Sequence, residues 1–168
     1  MTNPRGRALF EELKWVHRMV RADLDTVRRM ADEVLAGLPA AQLRTGVQSL
    51  AAAGPLWSLR VNCLYYCRFV HGHHQGESHL LFPAVRASDP SMGPVVDRLE
   101  ADHAAVSDLL DDIQAAADAL VGEDSLPGRR RVVDALTALA DRLLVHLDYE
   151  EEQLGPVLSR WDGWPLGG

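Results

Sequence analysis

The chain has 168 residues, 47% of them apolar, and a formal net charge of −7. That is the size of one domain, long enough to bury roughly two-thirds of its unfolded surface without help from a disulfide or a structural metal. An acidic chain with no basic stripe suits neither nucleic acid nor an anionic membrane surface, and the triplet Arg129-Arg130-Arg131 is too short to change that. No stretch approaches the roughly 20 apolar residues of a membrane span. Met1 to Arg7 is polar and lacks a signal-peptide core, so a cytoplasmic protein is expected.

Strand signals are nearly absent, and apolar residues recur every three or four positions. A first helix is predicted from about Ala8 to Leu38, with Leu9, Leu13, Val16, Val20, Leu24 and Val27 on one side and Gly37 and Pro39 ending it. A long connection follows, with a short helix around Gln42 to Ala52, closed by Gly54-Pro55. A second helix runs from about Leu56 to Ala87. It carries Cys63 and Cys67 one turn apart, which read as buried thiols of a reducing compartment. Ser88-Asp89-Pro90-Ser91 is a turn. The third helix spans about Met92 to Val121, a connection holds Pro127, and the fourth helix spans about Arg129 to Arg160. The tail, Trp161 to Gly168, is expected on the surface or in a partner groove. Together these predict one all-α domain over 1–168, an antiparallel up-down-up-down four-helix bundle from about 8 to 160.

In such bundles, metal sites are built from side chains that project inward from facing helices. His73 and Glu77 are four apart, so they differ by about 40° in direction and stack one turn above the other. His146 and Glu150 repeat that spacing on the fourth helix. Superposing His73 on His146 also places Leu81 on Leu154, Pro83 on Pro156 and Val85 on Leu158. Each pair is preceded by a helix with an isolated histidine, His17 in the first and His103 in the third. The chain thus reads as two helical hairpins, each with one His and one His-x-x-x-Glu. Counted from the helix ends, all four histidines lie roughly 14–20 Å from one end of the bundle. Four imidazoles and two carboxylates are too many for one tetrahedral zinc. They suit two ions, each with two imidazoles and a share of two bridging glutamates, and the mixture favours iron over copper or calcium. Of the two Glu-x-x-His motifs that a ferritin-like site uses, only Glu100 with His103 is present.

The sequence resembles the hemerythrin-like, HHE cation-binding family. The resemblance rests on Trp15-Val16-His17-Arg18-Met19-Val20 and on His73-His74-Gln75-Gly76-Glu77 followed by Leu81-Phe82-Pro83. It rests further on Asp102-His103 and on His146-Leu147-Asp148-Tyr149-Glu150-Glu151 followed by Pro156. It covers nearly the whole chain. It implies a four-helix bundle with two non-haem iron ions, oxo- or hydroxo-bridged, held by His17, His73, Glu77, His103, His146 and Glu150. Members bind or reduce O2, decompose peroxide, or respond to nitric oxide. The oxygen carriers that this chain resembles have a second histidine four residues after the third-helix ligand. Here that position is Ser107, which removes a nitrogen donor and argues against simple reversible O2 carriage.

Tyr66, seven residues before His73 and about 20° off its direction, reads either as a buried aromatic or as a site-lining phenol. His71 and His79 point away from the His73 face by about 160° and 120°, and His74 by about 100°. The first two are expected at solvent, and His74 at the border of the site or the surface. Asp148, Glu151 and Glu152 read as a solvated face, and Trp15 and Trp57 as packing residues. Three functions remain open: an oxidoreductase acting on peroxide or on O2 with an organic substrate, a module that binds O2, NO or iron without turnover, and a bundle with zinc or no metal. The sequence has no nucleophile triad, phosphate loop or nicotinamide fingerprint.

Overall fold

A computed structural model describes residues 3–37 and 55–165. Helix α1 is Pro4–Leu35 and α2 is Pro55–Gly76. A π-helical segment, Glu77–Leu81, joins α2 to α3, Phe82–Ser88, without a break. A 3-10 turn, Pro90–Met92, leads into α4, Gly93–Gly122, and α5 is Leu126–Leu158. The protein is helical, with no strand among the described residues. None of their helices is long and apolar enough to cross a membrane. The predicted helix around Gln42 to Ala52 and the side chain of Trp57 lie outside what is described.

Two helices begin earlier than predicted, and each start has a capping residue. The Asn3 side chain accepts from the Arg5 N–H at 2.9 Å, with Pro4 at the first helical position. The Ser125 hydroxyl accepts from the Gly128 N–H at 3.1 Å and starts α5 before Pro127. At the other end of α1, Gly37 adopts φ +73°, the left-handed conformation that ends a helix.

Contacts divide the chain into two compact units. The first comprises Met1–Arg21, Val70–Val106 and Arg142–Gly168. Its apolar core holds Phe82, Val85, Val96, Leu99, Leu154 and Leu158, with Leu13 and Trp161. Backbones approach closely here: a Cβ on Gly155 would meet the Phe10 ring at 2.8 Å, and one on Gly6 would overlap the Leu158 carbonyl. The tail is not all on the surface. Trp161 is buried, because its indole N–H reaches the Ser88 hydroxyl at 3.0 Å while its rings join the core. Trp15 differs in the other direction: it is 55% exposed, since it sits on the opposite side of α1 from Leu13 and His17.

The second unit comprises Ala22–Phe69 and Ser107–Asp141. Leu24, Val27, Leu59, Leu110, Ile113, Leu136 and Leu139 are buried there. The Arg129 guanidinium donates at 2.7 Å to the Val34 carbonyl, which also accepts from the Gly37 N–H at 3.2 Å at the end of α1. Cys63 and Cys67 are buried free thiols, as expected, and burial pushes both up to about 12. Neither is a ready thiolate at neutral pH.

Candidate metal centre

The first unit contains all six residues of the two-hairpin pattern. His17 (α1), His103 (α4), His146 and Glu150 (α5), and Glu77 at the start of the π segment are buried. His73 (α2) is nearly so, with a side chain 10% exposed. Five of them, with His74, form two groups whose donor atoms lie within 4.8 Å of one another. One is His17, His73 and Glu77; the other is His74, Glu77, His103 and His146. Glu77 belongs to both. Its Oε1 is 2.9 Å from His73 Nε2 and 3.6 Å from His17 Nε2, and its Oε2 is 3.3 Å from His103 Nε2. Glu150 spans the same gap from α5: its Oε2 is 3.5 Å from His17 Nε2 and 3.6 Å from His146 Nε2.

Two of the outward ring nitrogens, on His17 and His103, are held from behind. Glu151 accepts from His17 Nδ1 at 2.9 Å and is itself held by the Arg21 guanidinium at 2.8 Å. Arg21 also donates to Asp148 at 2.7 Å. This corrects the reading of Glu151 as part of a solvated face: half-buried, it orients His17. Ser78 hydrogen-bonds His103 Nδ1 at 2.9 Å, whereas His146 Nδ1 has no hydrogen-bond partner, with Asp102, held by Arg142, 3.6 Å away. Such partners fix which nitrogen faces inward, and metal-ligating histidines almost always have them. The i, i+1 position of Glu151 after Glu150 and of Asp102 before His103 was visible in the sequence, but its use was not.

His74 is the residue that spacing alone undervalued. It is 6% exposed, its ring stacks on His103 with centroids 3.9 Å apart, and it meets His146 edge-on at 5.2 Å. His79 is exposed, as expected, and its ring hydrogen-bonds the Gln75 carbonyl; His71 is half-buried. Tyr66 and Ser107 belong to the second unit, where Tyr66 is fully buried and Ser107 half-buried. Burial, with Cys67 and Asp23 nearby, raises the Tyr66 phenol and keeps it neutral.

A family model for the hemerythrin HHE cation-binding domain matches residues 8–158. The chain belongs to that family. Comparisons with curated proteins and with solved structures gave no match. The hemerythrin-like fit can be tested on the donor atoms themselves. His17, His73 and His74 Nε2 and all four carboxylate oxygens of Glu77 and Glu150 are buried without a hydrogen-bond partner. They approach one another but with poor direction. An unsatisfied buried polar atom costs roughly 1–3 kcal/mol, so this concentration in one spot is what a fold built around cations leaves behind. Imidazole nitrogens mixed with carboxylates suit iron.

The charges agree. Burial acts to raise Glu77, but the close approach of the His103, His17 and His73 imidazoles outweighs it and holds the carboxyl well below the usual range. Glu150 goes the other way: burial, then the charges of Glu77 and Glu151, raise it well above that range. Burial and the neighbouring His103 lower His146 to about 4 and His74 to about 2. Neutral imidazoles with free lone pairs are the form that binds metal.

Proposed function

We propose that this chain holds two non-haem iron ions and uses them on O2, peroxide or nitric oxide, with peroxide decomposition or O2-dependent oxidation as its reaction. One observation carries the reading: two buried carboxylates, Glu77 and Glu150, each reach histidines of two separate groups. His17 and His73 would hold one ion, His103 and His146 the other, and both glutamates would serve both. Donors from four helices at one level go with an antiparallel up-down-up-down bundle. When bound, iron supplies one-electron chemistry and positions for small oxidants.

The protein's part is access, dryness and proton handling. A cleft of about 340 Å³ reaches His73 and Glu77 between Leu9, Leu13, Val16, Leu80 and Trp164. Its apolar walls favour small, weakly charged molecules. Gly72 and Gly76 keep one side open: a Cβ on either would meet nothing within 4 Å. Disproportionation, 2 H2O2 → 2 H2O + O2, must move protons between peroxides. Glu12, an exposed carboxylate, lines the cleft. The visible spectrum tests the expectation that Tyr66 is a ligand. Tyr66→Phe should abolish any broad visible phenolate band; an unchanged spectrum excludes ligation.

The test is metal analysis of protein from iron-supplied cells, with peroxide loss and O2 evolution measured on the same sample. Two irons per chain with O2 evolved supports the reading. One equivalent of zinc and no iron, even after anaerobic ferrous loading, overturns it. A long-lived O2 spectrum that reverses when O2 is removed, without peroxide loss, favours a binding or sensing module.

A further inference from the structure

We propose that His74 is a seventh protein donor, the third imidazole on the ion held by His103 and His146. The inference rests on the two-ion reading and gives it an asymmetry that the repeated His-x-x-x-Glu pattern does not contain. His73 and His74 are consecutive on α2, so their side chains diverge by about 100°. The structure uses that divergence. His73 meets His17 edge-on at 5.1 Å, while His74 stacks on His103 at 3.9 Å. One helix therefore serves both groups, with Glu77 one turn below between them.

His74 has the marks of a donor rather than of a packing ring. Its Nε2 is buried and has no hydrogen-bond partner. One of its ring nitrogens lies within 4.8 Å of donor atoms on Glu77, His103 and His146. A structural histidine in a core is normally satisfied. Two stacked rings cannot both aim lone pairs at one ion, so ligation turns the His74 ring out of the stack about its own side-chain bonds. The consequence is a division of labour. The ion at His103 and His146 has three imidazoles and two shared carboxylates. The ion at His17 and His73 has two imidazoles, and the cleft opens on that side. The nitrogen that a histidine at position 107 would supply then comes from a different helix, and the open position belongs to the other ion.

The experiment is a cobalt(II) titration of metal-free wild type and His74→Phe, read by affinity and by the visible cobalt bands. Phenylalanine keeps the ring stack and most of the volume but has no nitrogen. The wild type should bind two cobalt ions. The variant should keep one at wild-type affinity and bind the other at least about tenfold more weakly, since loss of even an outer partner costs 10–100-fold, with the bands of that ion altered. Identical affinities and spectra overturn the proposal. A wild type that binds a single cobalt overturns the two-ion reading instead. His74 is then judged on that ion: weaker binding in the variant supports it, and no change overturns it. Should the variant misfold, a crystal structure of the cobalt-loaded wild type decides. His74 Nε2 at about 2.0–2.3 Å from an ion supports ligation, and a nitrogen left stacked on His103 overturns it.

Discussion

Glu77 and Glu150 occupy the same place in the two halves of the repeat, yet their carboxyls are driven in opposite directions. Both are buried, but Glu77 is approached by three histidines, whereas Glu150 faces mainly burial and the charges of Glu77 and Glu151. In the metal-free protein Glu150 therefore keeps its proton above the ordinary carboxyl range. Binding two cations must expel it. Calorimetric titration just above the ordinary carboxyl range, in buffers of different ionisation enthalpy, should show proton release that Glu150→Gln lowers. Because each glutamate reaches both groups, Glu77→Ala and Glu150→Ala should each weaken both ions, whereas His17→Ala should weaken mainly one. Two irons at wild-type affinity in Glu77→Ala would falsify the bridging role. A smaller effect belongs to Ser78→Ala: it leaves every donor in place but frees His103 Nδ1, and should cost about 10–100-fold in affinity at one ion.

At the scale of an element, the π segment is the feature that places the donors of α2. Pro83 has no N–H, and its ring crowds the carbonyl four residues earlier. The segment answers this with a wider turn, in which the Phe82 N–H bonds Glu77 O instead of a carbonyl one residue nearer. That extra residue lets Phe82 and Val85 face the core while Glu77 and Ser78 face the histidines. Its counterpart Pro156 sits inside α5 with no such segment, so a shared sequence pattern has two backbone solutions. Leu80, exposed in the middle of the turn, is dispensable for packing. Deleting it should restore an α-helical path and rotate Glu77 and the histidines by about 100° relative to α3. Circular dichroism should then show unchanged helix content while metal binding is lost. Retained binding would mean that the turn does not set the register.

For the whole molecule, metal and pH act on the same balance. His74 and His146 have folded values below their ordinary 6.5. The unfolded chain therefore takes up protons that the folded chain refuses. The stability they contribute is complete above 6.5 and is lost as pH falls toward about 4 for His146 and about 2 for His74. Glu77, lowered, adds loss in the same direction below its ordinary 4.5. Glu150, raised, opposes them, because it favours folding at the acid side of its own titration. Between pH 5 and pH 7.5 the two histidines act against Glu150 alone, which predicts that metal-free protein is less stable to urea at pH 5 than at pH 7.5, and that His74→Phe flattens the slope. Cations that bind only the folded state add stability by mass action. All their proposed ligands lie in the first unit, so metal removal should speed hydrogen exchange over 70–106 more than over 107–141. Equal acceleration in both units would place the metal's effect elsewhere.

The helices, the turn at Ser88 to Ser91 and the six-residue donor pattern were legible in the sequence because each rests on local geometry. A 3.6-residue period fixes which side chains share a face, and His-x-x-x-Glu fixes two donors one turn apart. The family followed from the order of those donors along the chain. What the sequence could not assign was anything that depends on which helix stands opposite. Glu151 is one residue past Glu150 and looked like a solvated acid until His17 and Arg21 were brought to it from α1. Trp161 looked like a loose tail until the Ser88 hydroxyl met its indole. His74 points about 100° away from His73, which reads as outward on an isolated helix. It is inward here because His103 and His146 close over it from α4 and α5. A helical wheel gives direction around one axis; only tertiary packing decides what lies in that direction, and so whether a nitrogen meets water or a metal.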